Sequence, residues 1–407
     1  ATPAPAAGMP TPTGDDVFMM YTGGTTGRPK GVLWRQDDVY VSSMGGTPFG
    51  TTGMPKGVLW RQDDVYVSSM GGTPFGTTEP SASYEAIATH AASGAGRMTL
   101  LMIPPFMHAA AQWSTFHMIT GGGTIVLPDN VHTFDPADAL TVAARERCVS
   151  IPVIGDAIAL PLIEEVERGD YDLSALGAIN NGAAPLSPST RARILATLPN
   201  IFIMDAAGAS ETGLQMSSLT AAGMDLDAGV FTPQGDTAVL DETMTRVLGP
   251  GEGGGWLARR DKVPLGYLGD AEKTARIFPE IDGVRWSVPG DRADVLPDGR
   301  IRLLGRDSVT INSGGEKIFA EEVESAVMAH PAVRDVVCVG RPSERWGSEV
   351  VAIVQLVDDA AVSDEELIAV AGEHVARYKL PKAILRVPVV QRSPSGKADY
   401  RWAKAQV

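Results

Sequence analysis

Residues 27–52 are repeated almost letter for letter at 53–78, the two segments differing only at Arg28 against Met54. A solenoid needs at least three related units, and its units are rarely this alike. Two near-identical copies therefore mark a tandem duplication. One copy completes a continuous motif, so 26 residues are surplus and are expected to loop out. Lengthening a loop costs only about 0.6 kcal/mol per doubling; the stronger constraint is steric. Only the first copy follows an apolar run, Val17-Phe18-Met19-Met20, which reads as a buried strand. The second follows Thr47-Pro48-Phe49-Gly50.

The segment after that strand is Tyr21-Thr22-Gly23-Gly24-Thr25-Thr26-Gly27-Arg28-Pro29-Lys30-Gly31. Glycines let backbone N–H groups turn toward an anion, and threonines add hydroxyl donors. Lys30 adds a point charge suited to phosphate. The loop is not the common P-loop, because Pro29 precedes the lysine and Gly31 follows it. Taken alone, such a turn is structural as readily as functional. A second lysine answers it near the other end, Lys397, after Arg392-Ser393-Pro394-Ser395-Gly396.

Composition bounds the partners. The chain has 407 residues, 44% apolar and 20% charged, enough for two or more soluble globular domains. A net charge of −15 argues against nucleic acid and against a polybasic membrane patch. No apolar stretch approaches the ~18 residues of a membrane span, so no integral membrane association is expected. No secretory signal is visible. Cys148 and Cys338 form no framework or metal spacing, and Cys338, within Val336-Val337-Cys338-Val339, reads as a buried small hydrophobe. A reducing cytoplasm is the simplest expectation.

Along the chain, residues 1–14 are Ala/Pro-rich and linker-like, as from a longer protein. Strands are expected at 98–103, 124–127 and 151–154, with short apolar runs at 176–179 and 201–204 and a helix near 136–147. That alternation indicates an α/β large domain of layered sheets and helices. From about Gly223, short strands at 237–240, 284–287 and 300–304 suggest a small β-rich subdomain. The end reads as a separate small α+β domain. It has a helix over 320–330, strands at 333–339 and 350–356, a helix from the Ser363/Glu366 capping box to about Tyr378, and a strand at 383–390. A boundary falls near 305–307.

Eight segments then occur in a telling order. They are the loop at 21–31, Pro105-Phe106-Met107-His108, Asn180-Asn181-Gly182-Ala183-Ala184-Pro185, Gly208-Ala209-Ser210-Glu211-Thr212-Gly213, Pro289-Gly290-Asp291, Gly305-Arg306-Asp307, Gly314-Gly315-Glu316-Lys317 and Ser395-Gly396-Lys397. Each is weak singly; together the chain resembles the adenylate-forming (AMP-binding) superfamily, and within it the fatty acyl-CoA synthetases of actinobacterial type. The resemblance implies domains at 15–304 (large, AMP-binding), 305–307 (hinge) and 308–407 (C-terminal lid). It also implies three substrates, ATP, a carboxylic acid and CoA, with Mg²⁺ as cofactor.

By that resemblance, Thr22, Gly23, Gly24, Thr25, Thr26, Gly27 and Lys30 grip the β- and γ-phosphates. Thr25 and Glu211 stand near Mg²⁺, which hard oxygen ligands suit. Gly182, Ala183 and Ala184 wall the adenine and acyl pockets, with Asp205 and Ser210 also on the nucleotide. Asp291 accepts from the ribose hydroxyls and Arg306 donates to the same sugar. Lys397 bridges the carboxylate and the α-phosphate. Asp307 is the hinge about which the small domain turns, bringing Gly314, Gly315 and Glu316 to the site as a thiol face. His108 lies near the acyl and pantetheine tunnels. Read without the resemblance, Glu211 is a loop carboxylate, Asp291 a Gly-Asp turn, His108 a packed loop residue and Lys397 an exposed terminal lysine.

Two departures from the family stand out. An aromatic residue stacks on adenine where this chain has Ala207, and base stacking is worth ~1–3 kcal/mol. The family also carries a long portion before the loop, where only 20 residues precede Tyr21 here. Three readings follow: an acyl-CoA synthetase for long-chain fatty or sterol-derived acids, a non-catalytic remnant that at most binds nucleotide, or an adenylation module that loads a carrier-protein thiol.

Overall fold

A computed structural model describes residues 17–22, 56–74, 79–106, 108–224, 229–357, 360–392 and 397–407, with backbone alone at 17–22 and 56–57. Among these, a 13-stranded sheet forms the frame. One half is parallel: Thr124–Val126, Thr99–Leu101, Ser150–Val153, Ala178–Gly182 and Phe202–Ala209 lie side by side. Helices Pro136–Arg145, Gly155–Arg168 and Pro188–Thr197 connect these strands. Their apolar faces bury Leu140, Ile163 and Ile194 against Ile151, Ile179 and Ile203. Asp135 caps the first helix and Ser187 the last, each just before a proline whose fixed φ suits a helix start.

The sheet turns antiparallel at the hairpin joining Phe202–Ala209 to Gly213–Ala221. Between Val230 and Arg306, every strand but Gly266–Tyr267 hydrogen-bonds into this same sheet, so the β-rich part continues the large domain's frame. A second sheet of three strands orders as Val17–Thr22, Lys56–Arg61 and Gly266–Tyr267, all antiparallel. Its middle strand comes from the second copy of the duplication. The first copy lies outside the described residues.

The C-terminal unit pairs Val333–Ser343 with Gly347–Leu356 and adds Ala383–Arg386 in parallel. Val323, Val327, Val337, Cys338, Ile353 and Leu367 form its core. Three elements are shorter than their periodicity suggests. The helix expected over 320–330 is Ala320–Val327. The helix opened by the Ser363/Glu366 capping box stops at Ala371, where Gly372 follows, well before Tyr378. The strand expected over 383–390 ends at Arg386, two residues before Pro388, which has no N–H for the ladder. Among the described residues, no helix is long and apolar enough to cross a membrane.

Candidate active site

The Ser210-Glu211-Thr212 turn closes the hairpin at which the sheet changes direction. It is held from several sides. Trp60 Nε1 donates to the Ser210 carbonyl at 2.9 Å. Ser287 Oγ donates to the Glu211 carbonyl at 2.6 Å. Arg259 reaches the carbonyls of Thr212 and Leu214 at 2.9 and 2.7 Å. Gly213 sits at φ +70°, where a Cβ would come 2.5 Å from Ser69 Oγ. The Glu211 side chain is fixed in turn, because Tyr267 OH donates to its Oε1 at 2.7 Å. Burial, with the Glu211 charge beside it, pushes the Tyr267 hydroxyl well above its ordinary range, so it stays a donor.

Asp291 and Arg306 are register partners on adjacent antiparallel strands, and Arg306 Nε donates to Asp291 Oδ1 at 3.2 Å. The Asp291 charge, with Glu211 and Glu321 nearby, holds the guanidinium charged against its burial. Arg306 ends its strand and Asp307 opens a short 3-10 turn, so the expected hinge falls where regular pairing stops. The Arg306 backbone N–H points to Glu321 Oε1 at 3.4 Å.

Lys397 lies in a cleft of about 160 Å³ shared by the two units, lined by Ala183, Ala184, Arg306, Glu321 and Tyr400 among others. Burial and the Arg306 charge lower its pKa, while Glu211 and Asp291 oppose that shift. His108 precedes the helix Ala109–Thr120, and burial together with the Lys397 charge pushes its pKa down to about 4. The imidazole is neutral at ordinary pH. Lys397 thus lies within electrostatic reach of Arg306, Glu211, Asp291 and His108, residues scattered over the sequence. Ala183 lies on this cleft at φ +65°, an uncommon conformation for a residue with a Cβ.

Other expected residues sit differently. Asp205 is 7% exposed, and its carboxylate takes Asn181 Nδ2 at 2.8 Å and Arg191 NH1 at 2.6 Å. Asn181 in turn accepts from the Gly155 N–H at 2.8 Å. Both oxygens of Asp205 therefore serve the interior beneath the Gly182–Ala184 turn. Gly314, Gly315 and Glu316 form an exposed turn, with Gly314 N–H donating to the Trp346 carbonyl at 2.8 Å. They do not line the Lys397 cleft. Ala207 is half-buried and packs toward the cluster around Met216. Thr22 ends the first strand. Gly23 to Gly27, with Thr25 and Thr26, and Lys30 fall outside the described residues, as does Ser393 to Gly396.

Sequence reading missed Trp60, Tyr267 and Ser287. Their motifs carry no charge or spacing that announces chemistry; only their contacts with the Glu211 turn do. It also passed over the loop in the second copy. That copy repeats the loop only from Gly50 to Gly57, with Thr47-Pro48-Phe49 in place of Tyr21-Thr22-Gly23 and Met54 in place of Arg28, and it sets Lys56 where Lys30 stands.

Comparison with known proteins gives the family. The AMP-binding enzyme family matches residues 50–268, and the AMP-binding enzyme C-terminal domain matches residues 322–397. The medium-chain acyl-CoA ligase Mig of Mycobacterium avium is 53% identical over 407 residues, all of this chain and 68% of that protein. A 3-oxocholest-4-en-26-oate–CoA ligase of Rhodococcus rhodochrous is 38% identical over 400 residues, covering 96% of this chain and 66% of the relative. The chain thus spans about two thirds of the length of these relatives. Among solved structures, ATP-bound MatB of Rhodopseudomonas palustris shares the fold with a TM-score of 0.72 at 19% identity, over 97% of this chain and 69% of that one. An anthranilate–CoA ligase in complex with anthranoyl-AMP has a TM-score of 0.73 at 19% identity, over 97% and 68%. With two family matches in sequence order and a relative identical at more than half of this chain's positions, this chain is a member of the AMP-binding enzyme family.

Proposed function

We propose that the chain activates a carboxylic acid with ATP and passes the acyl group to CoA. The observation that carries this reading is the meeting of Lys397 with Arg306 and the Ala183–Ala184 turn in one cleft, within electrostatic reach of Glu211 and Asp291. Joining a carboxylate to an α-phosphate requires two anions to approach. A lysine and an arginine held at low dielectric lower that barrier most where the negative charge grows. In the first half-reaction a carboxylate oxygen forms a bond to the α-phosphorus. The bond from that phosphorus to the bridging oxygen of pyrophosphate breaks, and pyrophosphate leaves.

Lys397 holds the carboxylate and the α-phosphate together. Asp291 accepts from the ribose hydroxyls while Arg306 donates to the sugar. Neutral His108 borders the acyl path. Glu211 supplies one hard oxygen of the kind Mg²⁺ takes, and Mg²⁺ commonly fills its remaining positions with waters and phosphate oxygens. The residues present therefore fit that ion. When bound, it neutralises phosphate charge.

In the second half-reaction the CoA sulfur bonds to the acyl carbon, AMP leaves, and the thiol proton passes to solvent. Rotation about Asp307 withdraws Lys397 and presents Gly314, Gly315 and Glu316. The names of the relatives favour medium- to long-chain fatty acids or sterol side-chain acids as substrates. Two buried free cysteines suit a reducing cytoplasm.

Acid-dependent pyrophosphate release tests the reading, with ATP, Mg²⁺ and a panel of fatty and sterol-derived acids, with and without CoA. Release that needs the acid and Lys397, and turns over with CoA, is the expected result. Release that ignores CoA would instead favour a carrier-protein thiol as acceptor. A folded chain that releases none would be a nucleotide-binding remnant.

A further inference from the structure

We propose that the second copy of the duplicated segment, and not the first, seats the Glu211 turn, and that Trp60 is its positioning residue. The two copies offer the chain equal local choices, since 25 of 26 positions agree. Helix propensity, strand propensity and hydrophobic period cannot separate them. What separates them is the socket.

Trp60 is fully buried and donates its indole N–H to the Ser210 carbonyl, one residue before Glu211. Ser69 of the same copy lies beside Gly213, on the other side of that turn, and its Oγ accepts from the Leu214 N–H at 3.3 Å. Val58, Trp60 and Val65 build one core cluster with Tyr267 and Phe278. A second route runs through the backbone. Lys56–Arg61 pairs with Gly266–Tyr267, with Val58 opposite Tyr267, and Tyr267 is the residue whose hydroxyl holds the Glu211 carboxylate. The second copy thus grips the turn directly through Trp60 and Ser69, and the Glu211 side chain through Tyr267.

The AMP-binding family match begins at residue 50, so it takes in the whole second copy and only the last three residues of the first. The socket is filled by the Trp60 indole; Trp34 is its counterpart in the first copy.

The duplication supplies its own control, because the same substitution can be made twice in the same local sequence. The intact chain is compared with Trp34→Ala, Trp60→Ala, Trp34→Phe and Trp60→Phe. Thermal denaturation of the alanine pair reads placement without reference to activity. Trp60→Ala is expected to lower Tm by several degrees, and Trp34→Ala to leave it within about a degree. The phenylalanine pair reads positioning, because Phe keeps an aromatic ring and removes the donor together with the five-membered part of the indole. Trp60→Phe is expected to lower kcat for pyrophosphate release about five- to tenfold, the scale of one lost hydrogen bond, with KM for the acid within twofold. Trp34→Phe leaves both unchanged.

Equal losses at the two positions overturn the proposal, as does a larger loss at Trp34. A silent Trp60→Ala that becomes harmful only when Trp34 is also replaced means that the copies exchange, and overturns it too. A fall in Tm at Trp60→Phe with unchanged kcat overturns the positioning role. The catalytic readout rests on the proposed function. Should the intact chain release no pyrophosphate, that function falls, and the Tm pair alone decides between the copies.

Discussion

Arg306 and Asp291 face one another across two antiparallel strands, 3.2 Å apart, at the last paired position before Asp307. Their contact ties the carboxylate proposed to hold the ribose to the start of the expected hinge. Pairing keeps the arginine charged and aimed at the cleft that Lys397 enters.

Asp291→Asn keeps the shape of this contact and removes its charge. ATP affinity is expected to weaken about tenfold, the loss of one charge-assisted hydrogen bond, with Tm nearly unchanged. Calorimetric titration of ATP into the folded variant measures it. An affinity within twofold of the parent would remove Asp291 from the sugar.

Lys397 is assigned to the first half-reaction only. Lys397→Ala is expected to lower acid-dependent pyrophosphate release by a hundredfold or more, since it removes a cation held at low dielectric against developing charge. Thioester formation from supplied acyl-adenylate and CoA is expected within a few-fold of the parent. Comparable losses in both assays would contradict a role confined to adenylation.

Asp205 distinguishes a structural carboxylate from a nucleotide ligand. Asp205→Asn leaves the Arg191 guanidinium, almost wholly buried, without its charge partner. Breaking one side of such a pair costs about 3–5 kcal/mol. The expected outcome is a clear drop in Tm with KM for ATP within twofold. A stable variant with a raised KM would return Asp205 to the nucleotide site.

The pH dependence of stability follows from four buried groups. Burial, with the Lys397 charge in the case of His108, lowers the pKa of His108 and of His117 from 6.5 to about 4. Between those values the unfolded chain binds protons that the folded chain does not, so these groups remove stability as pH falls from 6.5 toward 4. Burial raises Glu321 from 4.5 to about 7 and Glu324 from 4.5 to about 8. Here the folded chain holds the extra protons, so this stabilisation is complete below 4.5 and is lost as pH rises through 7 and 8.

The two pairs oppose one another between about 4.5 and 6.5, where Tm should change little, and of these four groups only the glutamates act above that. Tm is therefore expected to fall between pH 6.5 and 8.5. Glu324→Gln, which keeps an acceptor for the Cys338 N–H and Tyr400 hydroxyl, should flatten that fall. Melting curves at pH 6 and 8.5 for parent and variant check the sign; a steeper alkaline fall in the variant would refute it.

Most of the frame was legible in the chain. Strand periodicity, cap residues and motif order pointed to an α/β large domain, a small C-terminal α+β unit and the AMP-binding family, and the matches agree. Element ends were less legible. Amphipathic periodicity carries on past Ala371, where the helix passes into irregular turns, and apolar character carries on past Arg386, where Pro388 has no N–H for the ladder. Asp205 was expected on the nucleotide by the family resemblance. Its partners, Asn181 and Arg191, are 24 and 14 residues away in sequence.

The sequence by itself determined the family, the motif order and the identity of Lys397, Glu211, Asp291 and Arg306 as candidates, because those depend on residue types at local spacings. Only the tertiary structure decided which copy of the duplicated segment packs beneath the Glu211 turn. It also revealed that Tyr267 orients Glu211 and that Asp205 belongs to the interior. The physical reason is the same in each case. Identical segments have identical local preferences, and a carboxylate or a ring declares no partner until long-range packing brings one within hydrogen-bond distance.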